Sequence, residues 1–318
     1  MSTESSTLKV KKRWRLSSRS VPYVLLAPFV ILFLVFGLFP LLFSLFLAFQ
    51  SWEPTSGLSS MTFVGLDNFI FTLEDEWFWK SMYNTFWLAI VSGVPQHLIA
   101  IPLACVIHAL FIRTRNATIG VYFLPYITST VAIAMMFSTL FSTDYGLINM
   151  MITRIAQWPV IGHFLPQSPI DWLGEASHIK PAISFVVFWR YVGFNTVLYL
   201  AALQTIPKDM YEAAKMDGAN SWKQFWYITL PSLKPMIFFG VTLTLIGGLQ
   251  LFEEPFILTG GRGGTDQSGM TTAMYMYRTA FDFNDFGTAS ALSWILFVFV
   301  AVLTWLTNLA FKPKGGEQ

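Results

Sequence analysis

Six apolar runs of about twenty residues or more recur along this chain, and no other feature restricts its fold so strongly. Crossing about 30 Å of hydrocarbon takes about 20 residues at about 1.5 Å each, so such runs read as membrane spans. They fall, to within a few residues at either end, at 21–49, 85–110, 121–141, 183–203, 236–258 and 289–311. Hydrocarbon offers no partner to a free N–H or C=O, so lipid-facing backbone in these runs must be helical. The expected fold class is all-α integral membrane, with six transmembrane helices. Only 12% of the 318 residues are charged and 54% are hydrophobic, against roughly a quarter charged in a soluble domain. A soluble fold could not hide so much apolar surface. Pro28 and Pro40 in the first span, Pro95 and Pro102 in the second, and Pro125 in the third each remove an internal hydrogen bond and predict kinks.

Charge sets the orientation, because Lys and Arg near span ends are retained in the cytoplasm. Lys9, Lys11, Lys12, Arg13, Arg15, Arg19, Arg113, Arg115, Lys208, Lys215, Lys223, Lys234, Lys312 and Lys314 fall on one side, and Lys80, Arg154, Lys180, Arg262 and Arg278 on the other. The second side also holds Glu53, Asp67, Glu74, Asp75, Glu76, Asp144, Asp171 and Glu175. Both termini are therefore expected in the cytoplasm, together with the loop around Glu212. Residues 1–20 form a basic tail that reads as an orientation signal rather than a removable signal peptide, with anionic lipid as a second reading of its charge. Residues 21–311 form the six-helix transmembrane domain and 312–318 a second cytoplasmic tail. Cys105 is the one cysteine and lies inside a span, where it reads as packing rather than as a disulfide or metal ligand.

Three outer loops are expected. The first, 51–80, carries Trp77 and Trp79, which suit the headgroup interface. The second, 142–182, carries Pro159, Pro166, Pro169 and Pro181 and a short surface helix over 146–155. The third, 259–288, opens with Thr259-Gly260-Gly261-Arg262-Gly263-Gly264, a composition for a tight reversal.

Between spans four and five lies a polar island, residues 206–235. Pro207 can start a helix, residues 208–216 read as helix, and Ala213 and Ala214 let a partner approach the backbone closely. Glu212 supplies a solvent-facing carboxylate, and Gly218 after Asp217 can take the positive angle that ends a helix. Ser221-Trp222-Lys223-Gln224 matches a capping box for a second helix, with Pro231 and Pro235 closing the segment. A surface connector with a solvated Glu212–Lys215 pair is the competing reading of these residues alone.

In order and spacing, Thr205-Ile206-Pro207, Glu212-Ala213-Ala214, Asp217-Gly218-Ala219, Phe225, Ile228 and Leu230-Pro231 resemble the signature of permease subunits of bacterial ATP-binding-cassette importers. Leu258-Thr259-Gly260-Gly261, Tyr277-Arg278, Ala280-Phe281, Ala289 and Ala291 extend the likeness to the binding-protein-dependent carbohydrate branch, of the maltose, glycerol-phosphate and trehalose type. The chain is most similar there to the first member of a permease pair, and it departs at Arg262-Gly263, where that branch usually has Gly-Pro. The resemblance covers about residues 20 to 311. It implies a type I importer permease fold in a bacterial cytoplasmic (inner) membrane and a non-catalytic subunit. Its implied partners are a second, homologous permease, two copies of a cytosolic ATPase and an extracytoplasmic sugar-binding protein. It further implies that Glu212, Ala213, Ala214, Asp217 and Gly218 couple to the ATPase, and that ATP and Mg²⁺ sit on that partner with no cofactor on this chain. Sugar and membrane lipid are the remaining expected partners, and nucleic acid is not one.

Charged residues inside spans point toward a bundle interior or water. Arg190 is the clearest, with Glu253 or Glu254 as its ion-pair partner. Tyr191 and Asn195 share one helix face, and Gln250 is expected one turn inward of Glu254. Arg190, Tyr191, Asn195, Gln250 and Glu253 are thus the substrate-pathway candidates, with an Arg–Glu packing clamp as the alternative. Trp294 and Asn308 could line the path or pack.

Two other classes compete. An intramembrane serine protease needs a reactive Ser with His in reach, and neither Ser92 with His97 nor Ser268-Gly269 offers a suitable setting. A stand-alone ion-coupled carrier also buries Arg and Glu, but six spans are few for one. No Gly-x-x-x-x-Gly-Lys-Ser/Thr phosphate loop occurs, so ATP dependence must come from another subunit. His97 and His108 lie near one face of span two, where a packed pair is a better reading than a metal site.

Overall fold

The structure is a computed structural model that describes residues 19, 21–109, 112–158, 162, 166 and 169–311. The basic tails, Arg19 apart, and the end of the second predicted span at Leu110 lie outside the described residues, so the orientation of the termini rests on sequence alone.

The first span is α1 (Val21–Phe33), a π turn over Leu34–Leu38 and α2 (Phe39–Leu47). Pro40 has no N–H to give the carbonyl four residues back, and the turn just before it is widened to π spacing. A two-residue hairpin pairs Gln50–Ser51 (β1) with Thr62–Phe63 (β2). After α3 (Asp67–Glu74), α4 (Glu76–Ala109) forms span two and starts nine residues before the predicted position, so Trp77 and Trp79 lie in its first turns rather than in a loop.

The third span is not one kinked helix. It is α5 (Ile112–Ile127) and α6 (Thr130–Leu140), with its two halves bent 91° apart. The break falls at Ser129, past Pro125, where the backbone becomes extended (φ −53°, ψ 129°). Thr128 Oγ1 donates to Leu124 O at 2.8 Å, a second bond to the carbonyl that Thr128 N already reaches at 3.2 Å, so the last turn before the break is doubly tied. The expected surface helix appears as α7 (Leu147–Ala156). Span four, α8 (Ala176–Leu203), also starts early and takes Pro181 into its second turn. Arg190 is therefore the fifteenth residue of this 28-residue helix, at its middle.

Beyond α9 (Lys208–Met216), α10 (Ser221–Gln224) runs through a π turn, Phe225–Thr229, into α11 (Leu230–Leu249). Pro231 and Pro235 do not close the segment: both lie within α11, so the second loop helix is the lower end of span five. Span five is broken again at 250–252 and resumes as α12 (Glu253–Leu258). Pro255 cannot donate to Leu251 O, and the Thr271 hydroxyl takes that carbonyl at 2.7 Å instead. The glycine reversal follows, with positive φ at Gly260, Gly261, Gly263 and Gly264. The chain ends with α13 (Thr272–Phe281) and α14 (Phe286–Phe311).

α4 and α8 run parallel at the centre, joined by Lys180–Asn84, Asn195–Gln96 and Tyr199–His97 contacts from one end to the other. α5 passes so close to α8 that a Cβ at Gly193 would lie 1.7 Å from Tyr122 O. Lipid drives no hydrophobic association between helices, so this approach, which only glycine permits, sets where the two pack. At the predicted outer end, Asn84 Nδ2 donates to Gln267 O and Met270 O, and Tyr275 donates to Asp75. Burial, then that bond, raises the Tyr275 phenol above its ordinary pKa. These links tie the third outer loop and α13 onto α4.

Candidate docking loop and membrane cavity

The polar island folds as its residues predict over α9. Pro207 occupies the N-cap rather than the first helical position, and the helix covers Lys208–Met216. Its end is a Schellman turn: Ala219 N donates to Ala214 O at 2.8 Å and Gly218 N to Lys215 O at 3.0 Å. That geometry needs a left-handed residue, and Gly218 has φ +76°. The capping box is not what forms next. Asn220 is the N-cap of α10, with Oδ1 accepting from Lys223 N at 2.9 Å. Gln224 instead donates through Nε2 to Ala219 O at 2.9 Å, because the chain enters α10 one residue earlier than the Ser221 pattern implies.

No residue of α9 is buried. Glu212, Ala213, Asp217 and Gly218 are exposed and Ala214 is half-buried. Among the described residues Glu212 makes no ion pair, so the solvated pair with Lys215 does not form. Met216 is 89% and Trp222 68% exposed beside them. An edge of small residues, two carboxylates and unburied apolar side chains is therefore presented on a short rigid helix, a composition suited to a groove on another protein.

In the membrane, Arg190 Nη1 meets Glu254 Oε1 at 2.6 Å, with side chains 12% and 3% exposed. Glu253, the carboxylate placed among the pathway candidates, is exposed and unpaired among the described residues. The restart of the helix at Glu253 turns Glu254, not its neighbour, inward. Arg190 also lies over the Tyr191 ring, 5.1 Å from its centroid, and donates to Tyr191 OH at 3.3 Å. Among the described residues its Nε has no hydrogen-bond partner.

Tyr191 and Asn195 line a cavity of about 230 Å³ with Gln96, Tyr126, Phe194 and Thr244. Asn195 Nδ2 donates to Gln96 Oε1 at 3.0 Å, and Asn195 Oδ1 is buried without a partner. Tyr126 stacks on Phe194 at 4.5 Å and meets Tyr191 edge-on at 5.9 Å. Gln250 does not join this group. The break puts it at the end of α11, on a separate groove of about 610 Å³ with Phe252, Tyr277, Phe281 and Ser293. Trp294 and Asn308 line neither. His97 Nδ1 shares a hydrogen bond with Tyr199 OH at 2.7 Å, and His108, at the far end of α4, is exposed.

Sequence reasoning missed Gln96, Tyr126 and Thr244 as cavity residues. Gln96 had a signal, a lone amide inside an apolar span; Tyr126 and Thr244 had none, since both residue types are ordinary in spans.

A family profile described as "Binding-protein-dependent transport system inner membrane component" matches residues 98–312, which include both the loop and most of the cavity. The lactose transport system permease protein LacF of Rhizobium radiobacter is 35% identical over 297 residues, 92% of this chain and 94% of that protein. The probable ABC transporter permease protein YurN of Bacillus subtilis is 32% identical over 302 residues, 95% of this chain and 99% of that protein. Among solved structures, a chain of a bacterial alginate ABC transporter, in complex with its alginate pentasaccharide-bound periplasmic protein, superposes with a TM-score of 0.77. It is 26% identical and the match covers 92% of this chain and 95% of that one.

Proposed function

We propose, from the premise that this chain belongs to the binding-protein-dependent transport system inner membrane component family, that it forms half of the path by which a bacterial importer takes up a sugar or oligosaccharide. The chain is a non-catalytic ABC importer permease that works with a periplasmic binding protein. The finer reading gives it a second, homologous permease, two copies of a cytosolic ATPase that hold ATP and Mg²⁺, and a place in the bacterial cytoplasmic membrane. Glu212, Ala213, Ala214, Asp217 and Gly218 are its contact with that ATPase.

One observation carries the coupling assignment: α9 buries none of its residues in its own chain, yet its C-terminal end is closed by a complete Schellman turn. A helix so well formed and so little packed is built for a partner. The cavity supports the cargo class. Tyr126, Tyr191 and Phe194 offer rings to the C–H face of a sugar, and Asn195 Oδ1 and Gln96 offer amide groups to hydroxyls. Arg190 is neutralised by Glu254, which favours a neutral glycan over an acidic one. At about 230 Å³ the cavity is smaller than the ~300–1,000 Å³ of complete ligand sites, in keeping with a path finished by a second permease.

The test is site-directed crosslinking from Ala213→Cys in membranes that contain the whole transporter. Attachment to the ATPase, together with uptake that stops when ATP is removed and the proton gradient is kept, supports the reading. An introduced thiol that attaches to nothing, or uptake that follows the gradient alone, overturns it and returns the chain to the ion-coupled carriers.

A further inference from the structure

Among the described residues, one side-chain hydrogen bond joins α9 to the rest of the chain: Tyr211 Oη and Thr229 Oγ1 lie 2.9 Å apart. Packing does little to hold α9, since it has no buried residue. Tyr211 is half-buried and points away from the exposed edge of Glu212, Ala213 and Asp217, while Thr229 is only 6% exposed.

Thr229 ends the π turn, in which Leu230 N donates to Phe225 O five residues back rather than four. Such turns are rare inside helices and concentrate at functional positions. A second tie, Gln224 Nε2 to Ala219 O, fixes the Gly218 turn to α10. The loop is thus a triangle of α9, α10 and their turn, and the Tyr211–Thr229 bond is its closing side. Removing that bond leaves α9 attached only through its two ends, free to swing at Gly218.

From Thr229, α11 climbs to Thr244 and Gly248, both bordering the cavity. Fifteen residues at about 1.5 Å each make that rise about 22 Å. A push on α9 reaches the cavity by way of span five only if α9 and span five move together.

We propose that Tyr211 and Thr229 form a strut that locks α9 to span five, so that movement of the docking loop is passed to the broken helix beside the cavity. This rests on the reading of α9 as the element that meets the ATPase. Tyr211 is a positioning residue, touching neither the ATPase nor the cargo.

The experiment uses the assembled transporter in lipid vesicles with Tyr211→Phe, Thr229→Val, the double variant and Thr229→Ser. ATPase copurification and basal hydrolysis stay at wild-type levels in each. Hydrolysis stimulated by the loaded binding protein, and uptake, fall roughly two- to tenfold in Tyr211→Phe and Thr229→Val, the range set by one hydrogen bond. The double variant falls no further, since both changes delete the same bond, and Thr229→Ser keeps its hydroxyl and its stimulation. Full stimulation in both single variants, additive losses in the double, or a loss of copurified ATPase that matches the loss of stimulation each overturns the strut. Failure of the wild-type loop to hold any ATPase sinks the docking assignment itself, a distinct result.

Discussion

The cluster around Arg190 and the loop around Glu212 both place charge where an ordinary helix would not, and they treat it in opposite ways. In the membrane, Glu254 closes on Arg190 at 2.6 Å and the pair is nearly sealed from solvent. On the loop, Glu212 and Asp217 stay exposed and unpaired among the described residues, although the helix beneath them ends in a closed turn. A charge in hydrocarbon needs a counter-charge or polar partner beside it, and here Glu254 supplies one within the chain. A charge in water can be left open, and left open it is available to another protein. The difference fits Arg190 and Glu254 to architecture, next to a cavity whose open groups are Asn195 and the tyrosines, and is what the proposed recognition role of Glu212 requires.

Single substitutions at five positions break or sharpen that contrast. The largest effect belongs to Glu254→Ala, which strands Arg190 with no counter-charge; it should cost about 3–5 kcal/mol of stability, read as lost yield and a lower melting temperature in detergent. Removing both partners together should recover most of this, and a silent Glu254→Ala shows instead that water reaches Arg190. Glu212→Ala comes next: it should leave melting unchanged but weaken ATPase association roughly ten- to hundredfold, as expected for charge-assisted hydrogen bonds worth about 1.5–3 kcal/mol. A melting loss in place of a binding loss would put Glu212 in the architectural class. Gly218→Ala forces an L side chain to φ +76° at about 1–2 kcal/mol, enough to fray the turn, with Gly218→Asn milder; limited proteolysis of the loop reads it. The smallest effect separates two grooves. Asn195→Ala should raise the sugar concentration for half-maximal transport roughly two- to tenfold and Gln250→Ala should not, since Gln250 borders the other groove.

Much of the loop was legible because its signals are local. Pro207, the alanines and Gly218 act within a turn or two of themselves, so α9 lies over Lys208–Met216 as its residues predict. The error at α10 has the same scale: Asn220 and Ser221 are both good caps, and one residue of difference chose between them. The cavity was less legible. Arg190 announced itself by its cost in a span, but Glu253 and Glu254 are neighbours of equal chemistry, and only the direction in which α12 restarts separates them. Gln250 lies on a different groove from Tyr191 and Asn195 for the same reason, since unbroken helix geometry does not hold across 250–252.

What the sequence determined by itself is the membrane class, the approximate place of six crossings and the short loop helix with its glycine end, because hydropathy, helix propensity and glycine conformation act over short windows of chain. Tertiary structure alone decided that spans three and five break rather than bend. It chose which glutamate meets Arg190 and which polar residues share a cavity. Each of these depends on groups far apart in the chain, as when Thr271 takes the carbonyl that Pro255 leaves free, and no window of sequence contains both ends of such a bond.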